Sequence, residues 1–134
     1  MKTILFVCYG NTHRSPIAEG LLKNRVSDEV AVVSAGIHAG SAVAREAVAV
    51  MRDIGIDIRS HSPQQLTKDL CTAADIIICM DREVSEEMRQ ICAGADNPME
   101  CWEIPDPIYS RINIVQVRDA ISNKVADLAE RLGL

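Results

Sequence analysis

Aromatic residues are scarce in this chain of 134 residues: one Phe, one Trp and two Tyr make up 3% of it. So few rings leave little stacking surface, which weakens the case for tight, selective binding of a phenyl ring. No run approaches the roughly 18 consecutive apolar residues that a membrane-spanning helix requires. The opening residues, MKTILFVCYG, show no small-residue processing site, so a cytoplasmic protein with no membrane partner is expected. Basic residues are also in deficit, with 14 Lys and Arg against 19 Asp and Glu and a net charge of −5. That balance disfavours nucleic acid as a partner, and any phosphate must be caught locally. The five cysteines, at 8, 71, 79, 92 and 101, form no C-x-x-C or similar metal-ligand spacing, so no metal is expected. An odd count in a chain read as intracellular predicts free thiols rather than structural disulfides.

What is present suits one compact domain over residues 1–134, since 48% apolar content is enough for a core. Ile4–Cys8 (ILFVC) reads as a strand buried on both faces, the pattern of a parallel sheet. Pro16 suits the first turn of a helix whose body is Ile17–Val26. Val30–Ser34 and Asp75–Met80 (DIIICM) read as further buried strands, the former ended by a turn at Ala35-Gly36. Ala42–Ile54 carries apolar residues at helical intervals and ends at Gly55, a natural C-cap. A helix over Glu83–Cys92 stops at Gly94, a short fourth strand lies around ECWEIPDP, and Ile112–Leu132 is a long amphipathic helix. Alternating strands and helices with short links point to a doubly wound α/β domain with right-handed crossovers.

The chemistry concentrates in VCYGNTHRSP, residues 7–16, where the first strand gives way to a helix. In open parallel sheets ligands bind at such strand ends. Amides curling into a helix N-terminus converge on one point, and the helix dipole adds partial positive charge there. Gly10 allows a tight turn, and Asn11 tolerates left-handed backbone angles. Arg14 can close two parallel hydrogen bonds on a tetrahedral oxyanion, which a lysine cannot. The same field favours thiolate over thiol at Cys8 and makes it a nucleophile. Ser15 is placed to donate a hydrogen bond to that sulfur. A charged His13 close by would add to the effect, whereas one turned to solvent would not.

Cys8-x5-Arg14-Ser15 at the tip of the first strand resembles the low-molecular-weight protein tyrosine phosphatases, and the resemblance runs over nearly the whole chain. SAGI from Ser34, GIDIRSHSPQQLT from Gly55, ADIIICMDR from Ala74 and PDPIYS from Pro105 are similar to that family's landmarks, in order. The resemblance implies a three-layer domain with a four-stranded parallel sheet, order 2-1-3-4, and helices on both faces. It implies a phosphoprotein phosphatase with no cofactor and no metal, whose partner is a phosphorylated protein substrate. Cys8 would attack phosphorus and form a phosphocysteine. The loop from Tyr9 through Gly10, Asn11, Thr12 and His13 to Ser15 would bind phosphate with Arg14. Asp106 would act as general acid and then as base. Ser34 and His61 would brace Asn11, and Asp81 would orient Arg14.

Three departures bear on substrate and redox behaviour. Many family members have a second cysteine in the loop where this chain has His13, so a protective disulfide within the loop is unavailable. Thr12 replaces the bulkier aliphatic residue of tyrosine-specific members and matches the threonine of bacterial relatives that act on phosphoarginine. A hydroxyl on a pocket wall can hydrogen-bond a guanidinium, whereas a branched hydrocarbon packs better on a phenyl ring. The remaining substrate walls are thin: Tyr109 follows the Asp-Pro, but Ile108 stands in place of a second ring, and Tyr9 adds one side. Two other readings compete. A thioredoxin-coupled arsenate reductase shares such a loop but needs two relay cysteines, which Cys79 and Cys92 would have to supply. A phosphate-binding or phosphocarrier module would need neither the clamping arginine nor the acid.

Overall fold

The computed structural model describes residues 2–134. The chain runs through β1 (Lys2–Cys8), α1 (Arg14–Lys23), β2 (Val30–Gly36), α2 (Arg45–Arg52), α3 (Lys68–Ala73), β3 (Ile76–Cys79), α4 (Arg82–Ile91), β4 (Met99–Cys101) and α5 (Ile114–Arg131). The strands form one parallel sheet in the order β2-β1-β3-β4. Alternate residues of β1 serve opposite faces: Ile4, Phe6 and Cys8 join the cluster beneath α1, α2 and α5, while Leu5 and Val7 join the one beneath α3 and α4. All of β1 from Ile4 to Cys8 is buried, as its unbroken apolar run requires. Each fully buried aliphatic side chain there contributes about 1.5–3 kcal/mol, so the central strand is a fixed platform for the loop it feeds. No helix among the described residues is long and apolar enough to cross a membrane.

Several elements differ from expectation for identifiable reasons. α2 begins at Arg45 rather than Ala42, because Ala44 is extended and its N–H donates to the Thr12 carbonyl at 3.0 Å. The residues before it serve the first loop instead of a helix. α5 starts at Ile114, where Asn113 and Gln116 form a reciprocal capping box. α3, capped by Thr67, is too short for a periodic signal and was not anticipated. β2 continues through Gly36, which pairs with Cys8. β4 is the short strand expected around ECWEIPDP and covers Met99–Cys101, overlapping the start of that segment.

The expectation of free thiols throughout is corrected. Cys71 of α3 and Cys92 at the end of α4 form a disulfide with Cα atoms 5.7 Å apart, inside the α3/α4 cluster. Both lie on one face of the sheet, a proximity that their separation of 21 residues does not reveal. Cys8, Cys79 and Cys101 are free.

Candidate active site

The loop between β1 and α1 is shaped by close backbone approach. A Cβ on Gly36 would lie 2.8–2.9 Å from backbone atoms of Tyr9, Gly10 and Asn11, so only glycine lets β2 pass beneath the loop. From there the next segment is laced to the loop: Ile37 N–H donates to the Cys8 carbonyl (3.1 Å), His38 N–H to Tyr9 (2.9 Å) and Gly40 N–H to Gly10 (2.9 Å). Asn11 takes a left-handed φ of 57°, which turns its N–H toward the sulfur of Cys8 at 3.2 Å.

The Asn11 side chain is fully committed. Its amide donates one hydrogen to Ser15 Oγ (2.7 Å) and the other to Ser34 Oγ (2.9 Å). Its Oδ1 accepts from Gln64 N–H (3.0 Å), and His61 Nε2 lies 3.2 Å away. Ser34 in turn donates to Glu19 Oε1 at 2.7 Å. Because Ser15 Oγ already accepts from Asn11, its own hydrogen is free for the Cys8 sulfur, 2.9 Å away. A directed chain thus runs from Asn11 through Ser15 to the sulfur, and Glu19 settles the other branch at Ser34. Asn11, Ser15 and Ser34 are all buried, so each partner matters.

Arg14, at 2% exposure, enters from the first turn of α1. Both hydrogens of Nη1 are used, one to Asp81 Oδ2 (2.6 Å) and one to the Ile104 carbonyl (2.8 Å). Nη2 reaches Asp106 Oδ2 at 3.4 Å. Pinned through Nη1, the guanidinium offers Nε and Nη2 to an oxyanion. Asp81 does double duty, since its other oxygen caps α4 by accepting from Val84 N–H at 2.8 Å. Asp106 opens a turn in which its Oδ1 accepts from Ile108 N–H (3.0 Å) and its carbonyl from Ser110 N–H (2.9 Å).

A cavity of about 330 Å³ is lined by Arg14, Asp106, Tyr9, Tyr109, Glu83 and Glu87, among others. The structure thus brings Cys8, Arg14 and Asp106 to one end of the sheet, with Ser34 and His61 on Asn11 and Asp81 on Arg14. Tyr109 borders the cavity while 80% exposed. The Thr12 methyl lies against Gly40, and His13 reaches Glu46 of α2. Sequence reasoning missed Glu19, Gln64 and the Ile104 carbonyl, which carry no local motif. It also read Gly36 only as a turn, although a glycine facing the loop cysteine across the sheet was the available signal.

A sulfur held by a backbone N–H and a serine hydroxyl, with a buried guanidinium six residues on and a carboxylate against that guanidinium, defines the class of cysteine-dependent phosphatases, and known proteins of that class match the chain. The model of the family described as low molecular weight phosphotyrosine protein phosphatase matches residues 3–133, and the chain belongs to that family. The "Probable low molecular weight protein-tyrosine-phosphatase EpsP" of Ralstonia nicotianae is 46% identical over 120 residues, 84% of this chain and 82% of that protein. "Arsenate reductase 2" of Staphylococcus haemolyticus is 31% identical over 97% of this chain and 98% of that protein. Among solved structures, a mutant of YwlE from Bacillus subtilis superposes over the full length of both chains with a TM-score of 0.89 and 28% identity. YwlE is described elsewhere among them as an arginine phosphatase, with its active-site serine mutant phosphorylated.

Proposed function

We propose that this phosphatase removes phosphate from tyrosine or arginine side chains of cytoplasmic proteins, with Cys8 as nucleophile, Arg14 as clamp and Asp106 as acid and base. The sulfur of Cys8 attacks phosphorus while the bond to the leaving oxygen or nitrogen breaks, and protonated Asp106 supplies the proton that the leaving atom needs. The loop amides and Arg14 hold the equatorial oxygens throughout. Asp106, now a carboxylate, takes a proton from water as its oxygen attacks phosphorus. The sulfur–phosphorus bond breaks and the thiolate returns, steadied by Ser15. No step calls for a metal or cofactor.

The observation that carries this reading is the placement of Ser15 Oγ (2.9 Å) and Asn11 N–H (3.2 Å) on the Cys8 sulfur, with Arg14 reaching across to Asp106. The test is hydrolysis of p-nitrophenyl phosphate and of phosphotyrosine and phosphoarginine peptides by wild type, Cys8→Ser and Asp106→Asn. Cys8→Ser is expected to lose at least about 10⁴-fold in turnover, as removal of a covalent nucleophile does. Acid quenching of the wild type during turnover should trap phosphate on Cys8. Turnover that survives Cys8→Ser ends the reading.

The 31% identity to an arsenate reductase keeps arsenate reduction as the rival. That chemistry needs thiols that can relay to the nucleophile. Cys71 and Cys92 are already joined to each other, and Cys79 packs in the same cluster on the sheet face opposite Cys8. Burial, then the hydrogen bond with Cys101, push the Cys79 thiol up to about 12, which leaves it protonated and unreactive at neutral pH. The geometry therefore favours hydrolysis.

A further inference from the structure

The cavity beside Arg14 and Asp106 presents two opposite demands. Arg14 is 2% exposed and spends both Nη1 hydrogens on Asp81 and the Ile104 carbonyl. Its Nε has no hydrogen-bond partner among the described residues, and its Nη2 has only the 3.4 Å contact with Asp106. Those donors, on a buried side chain that lines the cavity, call for an anion. The wall supplied by α4 calls for the other charge. Glu83 and Glu87 stand one helical turn apart on one face of α4, and both line the cavity. Glu83 has no ion-pair or hydrogen-bond partner among the described residues, since its neighbour Arg82 turns to Glu103 instead. Glu87 meets His38 at 2.7 Å, with both side chains half exposed. Arg14 is the only basic side chain lining the cavity, and Asp81 and Asp106 already face its charge. Helix stability does not account for the pair of glutamates. Asp81 already caps α4 through Val84 N–H at 2.8 Å, and Glu87 lies beyond the first turn, where the helix dipole has faded.

From this arrangement we infer that Glu83 and Glu87 form a subsite for a Lys or Arg side chain of the protein substrate, next in its sequence to the phosphorylated residue. The inference deepens the phosphatase reading of this site and rests on it. A phosphoryl dianion is repelled by carboxylates at the wall of its pocket, so their benefit comes from another part of the ligand. A cation beside the phosphorylated side chain offsets that repulsion and meets the carboxylates directly. An acidic neighbour adds to the repulsion, so the same wall rejects acidic flanks while favouring basic ones. Water reaches both glutamates, which holds each contact to the modest worth of a surface ion pair. Exchanging Lys for Glu beside the phosphorylated residue reverses the sign of both contacts. The expected change is about tenfold in kcat/KM at low ionic strength.

The test uses three peptides alike except for the two residues flanking the phosphorylated one, which are both Lys, both Gln or both Glu. Each is made with phosphotyrosine and with phosphoarginine, and the set that wild type cleaves faster is compared. In about 20 mM salt, kcat/KM should be about tenfold higher for the Lys peptide than for the Glu peptide, with Gln between them. In about 1 M salt the preference should shrink to within about twofold. Glu83→Gln with Glu87→Gln should bring the Lys-to-Glu ratio to within about twofold at low salt, and each alone to about threefold. Glu86→Gln removes the same charge from α4 at a position that does not line the cavity, and it should leave the ratio as in wild type. A merely structural role for the two glutamates would lower turnover of all three peptides alike and leave their ratio unmoved. A wild-type ratio near one overturns the subsite, as does a double variant that keeps the preference. So does a Glu86→Gln effect equal to that of Glu83→Gln, which would assign the preference to the general field of an acidic protein. Each of these results, with turnover still lost in Cys8→Ser, leaves the phosphatase reading standing. Failure of that reading shows differently, as turnover that persists in Cys8→Ser.

Discussion

The two loops that meet at the active site each hold one non-glycine residue at positive φ, Asn11 at 57° and Glu103 at 50°, but they hold it in opposite ways. Asn11 is buried with every side-chain hydrogen-bonding position filled. Glu103 is exposed, and its side chain has one long hydrogen bond, 3.4 Å from Arg82. The phosphate side is over-determined by tertiary bonds from β2, α1 and the segment around His61. The acid side is a surface turn organised largely by Asp106 itself, through Ile108 N–H and Ser110 N–H. Phosphate binding needs fixed donors, since a misplaced amide loses its grip on the transition state. An acid that serves twice needs only to reach the leaving atom and then water.

Breaking the fixed side should cost most. Asn11→Ala leaves Ser15 and Ser34 each short of a buried donor, and it removes the residue type that tolerates the left-handed turn. We expect a stability loss of about 3 kcal/mol in urea titration and a fall in turnover of about 10³-fold, since Ser15 is no longer oriented on Cys8. A protein that keeps near wild-type turnover would show that the chain of hydrogen bonds is dispensable. Asp106→Asn touches the other side. It should lower turnover of phosphotyrosine peptide about 10²–10³-fold while moving stability by less than about 0.5 kcal/mol, as expected for an acid on a solvent-accessible turn.

The same contrast explains what could be read in the sequence. Everything from Cys8 to Ser15 lies within eight consecutive residues, and the order of strands and helices follows from apolar runs and their breaks. The nucleophile loop, the sheet and the pairing of Asp81 with Arg14 were therefore legible. The partners that complete the site come from across the fold: Glu19 reaches Ser34, Gln64 reaches Asn11, and the Ile104 carbonyl reaches Arg14. None of these has a spacing signature, because each depends on which faces the topology turns together. The disulfide was misjudged on the same grounds, compounded by a compartment argument that addresses prevalence rather than geometry.

That bond gives a third prediction, confined to stability. Cys71 and Cys92 join α3 to the far end of α4, whose near end carries Asp81. Removing both sulfurs with Cys71→Ala and Cys92→Ala should cost about 3 kcal/mol, the usual worth of a cross-link closing a loop of this size. Turnover at 25 °C should stay within twofold, because Asp81 is held separately by Arg14 and by Val84 N–H. A large drop in turnover instead would mean that α4 transmits its anchoring to the arginine clamp.

The smallest effect tests the comparison most directly, because the sign should reverse between the two positive-φ residues. At Glu103 the left-handed backbone costs about 1–2 kcal/mol, and the exposed side chain recovers little of it through its long contact with Arg82. Glycine relieves that strain but raises unfolded-chain entropy by about 0.5–1 kcal/mol, so Glu103→Gly should stabilise by about 0.5 kcal/mol. Asn11→Gly relieves strain as well, yet it surrenders two buried donors and an acceptor shared by Gln64, so it should destabilise by about 2 kcal/mol. Chemical denaturation of the two variants side by side decides the matter. If both move the same way, backbone conformation rather than the bonds around Asn11 governs both turns, and the distinction between a fixed phosphate side and a loosely held acid side falls.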